Sequence, residues 1–377
     1  HHDVDLKLIT PVMWHHCKLR RCYNGMSMNT PLTDLLGCRY PIIQTAMGWV
    51  ADANLVAATS NAGGFGFLAG AVMTLEEIEQ GIAAIKAKTD APFGVNFHMY
   101  VPFAEDIVDL CVAQRVKAVS YSRSPSSQSV EKLKRAGIVC IPTVGAKKHA
   151  VKAVEMGADA LVIQGSEGGG HTGSVATTVL LPEVRRAVSV PLAAAGGFRD
   201  GAGLIAARAL GADGIAMGTR FLLTQESPVP GQTKAVYIDT APENIVVSTR
   251  LDGLPQRMIA NQYLADLMHA SNAGLLARAI KNGIGFTRMT GGSLSGMLGS
   301  AWKMYRSGNT TLGQTIMAAN APMMIQEAMV NGHPNEGILP SGQVAGVIDD
   351  LPAVADLIER IMREADDTLR ALSSHSV

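Results

Sequence analysis

The sequence predicts a (β/α)8 TIM barrel of the α/β class with a helical insertion near its C-terminus, and three observations lead there. Short apolar runs alternate with longer amphipathic ones eight times between Tyr40 and Phe221, within fewer than 200 residues. That rhythm belongs to parallel α/β folds and suits a closed barrel better than an open sheet. The composition is that of a large buried core: 377 residues, 47% of them hydrophobic and 17% charged. Finally, the apolar runs end in glycines, most tellingly the seventh and eighth, where barrels place a phosphate site. An open doubly wound sheet is the alternative, because a strand count from sequence carries an error of about one or two strands.

Each element has its own signal. Pro41 to Ala46 reads as the first strand, and Asp52 to Asn61 as a helix stopped by Gly63-Gly64. Phe65 to Ala69 is the second strand; Thr74 and Glu77 then have the spacing of a capping box, opening a helix that runs to Lys88. Phe93 to Phe97 gives the third strand and Ala104 to Ala113 the third helix. Lys117 to Tyr121 and Ile138 to Pro142 give strands four and five around a Ser-capped helix, Ser127 to Ala136. Ala146 to Met156 is the fifth helix. The sixth strand, Ala160 to Ile163, is continuously apolar, as strands covered on both faces are, and it ends in Gln164 and a glycine-rich loop. A helix from Leu180 to Val188, a strand from Pro191 to Ala195, a helix from Gly201 to Leu210 and a strand from Asp213 to Met217 complete the count.

Outside this rhythm the chain divides into further parts. Residues 1–27 have no periodicity and no apolar core of a signal peptide, and they read as a disordered tag or upstream extension. Residues 28–225 and 336–377 are assigned to the barrel, closed by a long amphipathic helix from Leu351 to Leu372. Residues 226–335 read as a helical lid over the barrel mouth, with helices at Gln262–His269, Gly274–Lys281, Met297–Tyr305 and Leu312–Ala319. Lys+Arg and Asp+Glu both number 32, which gives no reason to expect nucleic acid. The five cysteines have no metal-ligand spacing and read as reduced thiols, so no metal is expected. No apolar stretch reaches the ~18 residues of a membrane span. A cytoplasmic monomer or homodimer acting on a small molecule is the expectation.

Barrel enzymes place their chemistry at the carboxyl ends of the strands. Those ends here hold Gln44 to Gly48, Asn96 with His98, Thr143, Gln164 with His171, Gly196-Gly197 and Gly218-Thr219. The last two pairs fit a phosphate cradled by backbone N–H groups. No P-loop and no dinucleotide fingerprint is present, so a flat cofactor with one phosphate tail fits, and flavin mononucleotide (FMN) has that shape. Gln44, Asn96 and Gln164 offer neutral amides to its ring edge or ribityl chain; each is equally a satisfied buried polar group. His171 is placed for proton transfer, against the plainer reading of a surface histidine in a loop.

Six blocks in order, PIIQTAMGWV, NAGGFGFL, PFGVNF, IQGSEGGGHTG, AAGGFRDG and ADGIAMGTRF, resemble the nitronate monooxygenase (2-nitropropane dioxygenase) family of FMN-dependent barrels. The likeness covers Thr30 to Val347. It implies that Ala46, Met47, Gly48, Asn96, Gln164, Gly170, Gly196, Gly197, Gly218 and Thr219 contact FMN. It also implies that His171 is the family's catalytic histidine, acting as acid or base toward a carbon acid. Two positions depart from the family: Thr143 stands where members often carry lysine, and Gln164 where several carry an acid. STRLDGLPQR (Ser248 to Arg257), the insertion and LPSGQVAGVIDDLP are similar to a branch of flavin-dependent reductases, one of which acts on a steroid-derived CoA thioester. Flavin-type enoyl reductases share the barrel as well. The implied activity is oxidation of alkyl nitronates with O2. The alternative is an NAD(P)H-dependent reductase of an enone, enoyl-CoA or quinone, with NAD(P)H as co-substrate.

Overall fold

A computed structural model describes residues 28–99, 101, 103–122, 125–269 and 312–374. Seven strands run unbroken: β1 (Ile42–Gln44), β2 (Phe65–Ala69), β3 (Gly94–His98), β4 (Ala118–Ser122), β6 (Leu161–Gln164), β7 (Leu192–Ala195) and β8 (Gly214–Met217). The remaining one, β5, comes in two pieces, Val139–Cys140 and Thr143–Val144. Its first piece pairs with β4 and its second with β6, all in parallel register. Pro142 lies between the pieces, where its missing N–H interrupts the ladder, while its carbonyl still accepts from Val162 N at 3.0 Å. Because the two ends of the strand order are halves of one strand, the sheet closes on itself as an eight-stranded parallel barrel.

Side chains alternate across the barrel wall, as strand geometry demands. Ile43, Phe65, Phe67, Val162, Ala193 and Ala216 fill the interior. Ile42, Leu161, Ile163, Ala194 and Ile215 face the surrounding helices. The helices alternate with the strands from α2 onward: α1 (Pro31–Leu36), α2 (Ala53–Asn61), α3 (Leu75–Lys86), α4 (Ala104–Ala113), α5 (Ser127–Arg135), α6 (Lys147–Glu155), α7 (Thr177–Arg185) and α8 (Gly201–Ala209). Helix α1 precedes β1 and stops the amino end of the barrel: Leu32 and Leu36 join the interior cluster, and a Cβ on Gly214 would stand 2.9 Å from Leu32. The capping box expected at Thr74 and Glu77 forms with both of its hydrogen bonds.

Helix α7 begins at Thr177, three residues before the sequence reading. Its start is fixed from a distant loop, since the Glu167 carboxylate accepts from Thr177 N and Oγ1. A carboxylate there satisfies an N–H left open at a helix start and opposes the helix dipole favourably.

Beyond β8 come α9 (Thr219–Leu222), α10 (Gly231–Ile238), α11 (Gln262–His269), α12 (Leu312–Met329) and α13 (Val354–Ser374). The reading of 226–335 as helical is corrected at two strands: Ile245–Ser248 and Gln256–Ile259 form an antiparallel hairpin. Their β-branched and alternating residues suit a half-buried ribbon, with Asp252-Gly253 at the turn. The expected helices at Gly274–Lys281 and Met297–Tyr305, like residues 1–27, lie outside the described residues. Helix α13 closes the outer ring against α8, where Gly201 N donates to Glu364 at 3.0 Å and a Cβ on Gly201 would strike Ala365 N at 2.2 Å. Among the described residues no helix is long and apolar enough to cross a membrane.

Candidate active site

A cavity of about 300 Å³ opens at the carboxyl ends of the strands, and it gathers residues from all around the barrel. After β1 come Thr45, Ala46, Met47 and Gly48; Asn96, Ser120 and Thr143 follow from β3, β4 and β5. Gln164 and Gly170 line it beyond β6, Gly196 and Gly197 beyond β7, and Gly218 and Thr219 beyond β8. The ten residues that the family resemblance implies as flavin contacts therefore all border one space. The sequence reading missed Ser120, Glu167, Gly168, Gly169 and Phe198, which border it as well.

The end of the cavity near β7 and β8 has the geometry of an anion cradle. Gly196 and Gly197 hold φ of 99° and 85°, the left-handed region that only glycine enters freely. A Cβ on Gly218 would lie 3.1 Å from Thr45 Oγ1 and 3.3 Å from Met47 Sδ, so any side chain there would crowd the floor. Gly218 is the N-cap of α9 and brings no side chain to its first turn, which leaves that turn's N–H groups without intrahelical partners. Glycine-rich ends on strands seven and eight leading into a short extra helix form the usual phosphate site of barrels, and the residues present fit a single phosphate. Nearby, Trp49 holds φ of 61°, a strained setting for a bulky residue, of the kind that clusters at binding sites.

The amides divide into two kinds. Asn96 donates from Nδ2 to Ser120 O at 3.2 Å, and Gln164 donates from Nε2 to the His171 carbonyl at 2.8 Å. Each also borders the cavity. Gln44 is different: it is fully buried and donates to Thr45 O and Phe67 O. It does not line the cavity, so it is a strut between strands and not the flavin contact that the sequence suggested.

A second wall comes from the chain after β8. Ile325 and Met329 of α12, Pro340, Gly342 and Val344 face the glycine-rich ends. This wall is pinned by Gly342 N donating to Thr219 Oγ1 at 2.9 Å, Gln343 N to Glu167 O at 2.9 Å, and the buried Tyr237 hydroxyl to Pro340 O at 2.7 Å. The loop from Pro340 to Gly346 thus turns toward the site, held there through its backbone groups.

His171 stands at the edge of this space and is not among its lining residues. It and Gly170 form a two-residue strand paired with the hairpin, His171 opposite Gln256. The side chain is 60% exposed, and Nε2 lies 2.7 Å from Asp252 Oδ2. Burial alone would raise the Asp252 carboxyl, but hydrogen bonds from His171, Leu254 N and Gln256 hold it below the ordinary carboxylate value. His98, the other histidine proposed from a strand end, does not border the cavity.

Comparison with known proteins bears on the chain as a whole. The family model described as nitronate monooxygenase matches residues 29–109 and 98–364. A (3aS,4S,5R,7aS)-5-hydroxy-7a-methyl-1-oxo-octahydro-1H-indene-4-carboxyl-CoA dehydrogenase of Rhodococcus jostii is 46% identical over 92% of this chain and 99% of its own. A probable nitronate monooxygenase of Staphylococcus saprophyticus is 31% identical, covering 63% of this chain and 81% of its own. Among solved structures, FabK from Thermotoga maritima superposes with a TM-score of 0.74 at 31% identity, covering 92% of this chain and 99% of its own.

Proposed function

The chain belongs to the nitronate monooxygenase family and is an oxidoreductase of that family, and from this premise we propose that it is an FMN-dependent enzyme acting on a coenzyme A thioester with a fused-ring skeleton. The full-length match to the Rhodococcus dehydrogenase carries the choice of substrate. At 92% coverage it cannot leave out the long stretch after β8 that builds the second wall. The staphylococcal relative, covering 63%, leaves more than a third of this chain without a counterpart.

FMN, in place of a dinucleotide, suits a cavity with one phosphate cradle at Gly196, Gly197, Gly218 and Thr219 and a sequence without a dinucleotide fingerprint. Met47, Gly48, Asn96, Gln164 and Gly170 would hold the ring and its side chain. When bound, the flavin supplies hydride transfer. The residues of this chain supply the rest. A thioester carbonyl acidifies the carbon beside it, and His171 at the cavity edge takes that proton, or returns it in the reductive direction with NAD(P)H as co-substrate. Ile325, Met329 and Val344 offer the apolar face that a fused-ring hydrocarbon needs. On the same reading, the described residues after β8 that line the cavity suit a substrate larger than a nitroalkane.

A second reading, oxidation of alkyl nitronates with O2, is favoured by the family model itself. A nitronate is already the conjugate base of a nitroalkane, so on this reading His171 would hold the nitronate oxygens, or take the proton only from a neutral nitroalkane. Both readings are tested by releasing the flavin from purified protein, identifying it by chromatography, and mixing the holoprotein anaerobically with NADH, NADPH, the hydroxy-methyl-oxo-octahydroindene-carboxyl-CoA of the Rhodococcus relative's name and an alkyl nitronate in turn. FMN, reduced or reoxidised fastest by the CoA substrates, is the expected result. FAD would overturn the cofactor, and a response to the nitronate alone would overturn the substrate.

A further inference from the structure

The hairpin that replaces part of the expected helical insertion brings one carboxylate to His171 from far along the chain. Asp252 sits in its turn with a side chain only 12% exposed. Oδ1 accepts from Leu254 N at 3.0 Å, while Oδ2 accepts from Gln256 Nε2 at 2.6 Å and meets His171 Nε2 at 2.7 Å. The carboxylate is fixed by its own turn and by Gln256, so the exposed ring adjusts to it and not the reverse.

Hydrogen-bond bookkeeping then settles which ring nitrogen carries the proton. An ionised carboxylate can only accept, and the Gln256 amide nitrogen can only donate. Gln256 Nε2 and His171 Nε2 stand 3.2 Å apart as two donors converging on one oxygen. Nε2 of His171 therefore bears a hydrogen, and the neutral ring keeps its lone pair on Nδ1. The pair joins an exposed ring to a carboxylate that is largely buried and already held by two other donors, so its effect on the ring is one of orientation. Charged residues on the neighbouring segments are Arg250 of the hairpin loop, whose N–H donates to Ser248 Oγ, Arg257, whose backbone lies opposite Gly170 and whose guanidinium donates to Ser166 O, and Glu167, already engaged with Thr177.

We propose that Asp252 is a positioning residue for His171: it fixes the ring in the Nε2–H tautomer and leaves Nδ1 as the nitrogen that exchanges a proton with substrate. This rests on the reading of His171 as the acid–base group. Orientation of a catalytic imidazole by a carboxylate on its far nitrogen is a general device. Here the carboxylate comes from the hairpin, so the insertion contributes to the chemistry as well as to the cavity wall.

The test combines rates with a tautomer readout on flavin-loaded protein. Asp252→Asn is expected to keep its flavin and its KM for the CoA thioester, while the rate of flavin reduction falls about tenfold or more, up to the ~10²–10⁴-fold loss expected on removing the acid–base group itself. Asp252→Glu should recover most of it. In a His171→Asn background, Asp252→Asn should cost nothing further, because both changes remove one interaction. Nitrogen-15 NMR of histidine-labelled protein should show a protonated Nε2 at His171 in the parent and a redistributed tautomer in Asp252→Asn. Multiplying rate losses in the double variant, or an unchanged tautomer with an unchanged rate, would overturn the proposal. If Asp252→Asn loses its fold, the Asp252→Glu protein and the parent spectrum decide. Should His171→Asn run at the parent rate, the acid–base reading fails first, and the positioning role with it; a slow His171→Asn beside a fast Asp252→Asn overturns the positioning role alone.

Discussion

His171 and Asp252 lie 81 positions apart in sequence and 2.7 Å apart in space, so the chemistry of the histidine is decided by a residue that no local pattern joins to it. The same pair predicts an acid sensitivity. The folded-state value of Asp252 is depressed, by hydrogen bonds that outweigh the opposing effect of burial. Such a group stabilises the fold at pH values above the ordinary carboxylate value, and the contribution is lost as pH falls through the depressed one. Denaturant unfolding of parent and Asp252→Asn should therefore show the parent more stable at neutral pH and the two converging in acid. A stability gap that stays constant from neutral pH down through the acid range would mean that the carboxylate makes no such contribution.

At the scale of elements, the strand-end turns carry the argument. Gly218→Val should give a folded protein without flavin, because its Cβ would crowd Thr45 Oγ1 and Met47 Sδ and stand where a phosphate approaches the backbone. Flavin absorbance and a thermal melt measure both halves of this statement; full flavin occupancy would place the phosphate elsewhere. Such turns were legible because they depend on local rules: apolar runs of strand length, glycines directly after them, and a capping box at Thr74. What stayed hidden depends on contacts across the fold. The start of α7 is set by Glu167 from another loop, and the break in β5 at Pro142 shows only once its two neighbours are paired. The Ile245–Ser248 strand was read as helix because the surrounding segment is mostly helical, and Gln44 was read as a ligand because nothing local shows that it is buried. The residues that line the cavity were legible through motif order; the Asp252 partner of His171 was not.

For the molecule as a whole, a closed parallel barrel holds the glycine-rich ends rigid, and the chain after β8 supplies both the opposite wall and the partner of His171. The family shares the barrel, so substrate choice is expected to lie in that added chain. The central claim is that His171, at the edge of the flavin cavity, moves a proton at a carbon acid. Anaerobic stopped-flow of flavin-loaded His171→Asn with the hydroxy-methyl-oxo-octahydroindene-carboxyl-CoA tests it most directly, since asparagine keeps a similar size and hydrogen-bonding capacity without a titrating nitrogen. The account predicts that flavin stays bound while substrate-driven reduction slows by ~10²–10⁴ relative to the parent. A rate within a few-fold of the parent would show that the histidine is structural and contradict the claim.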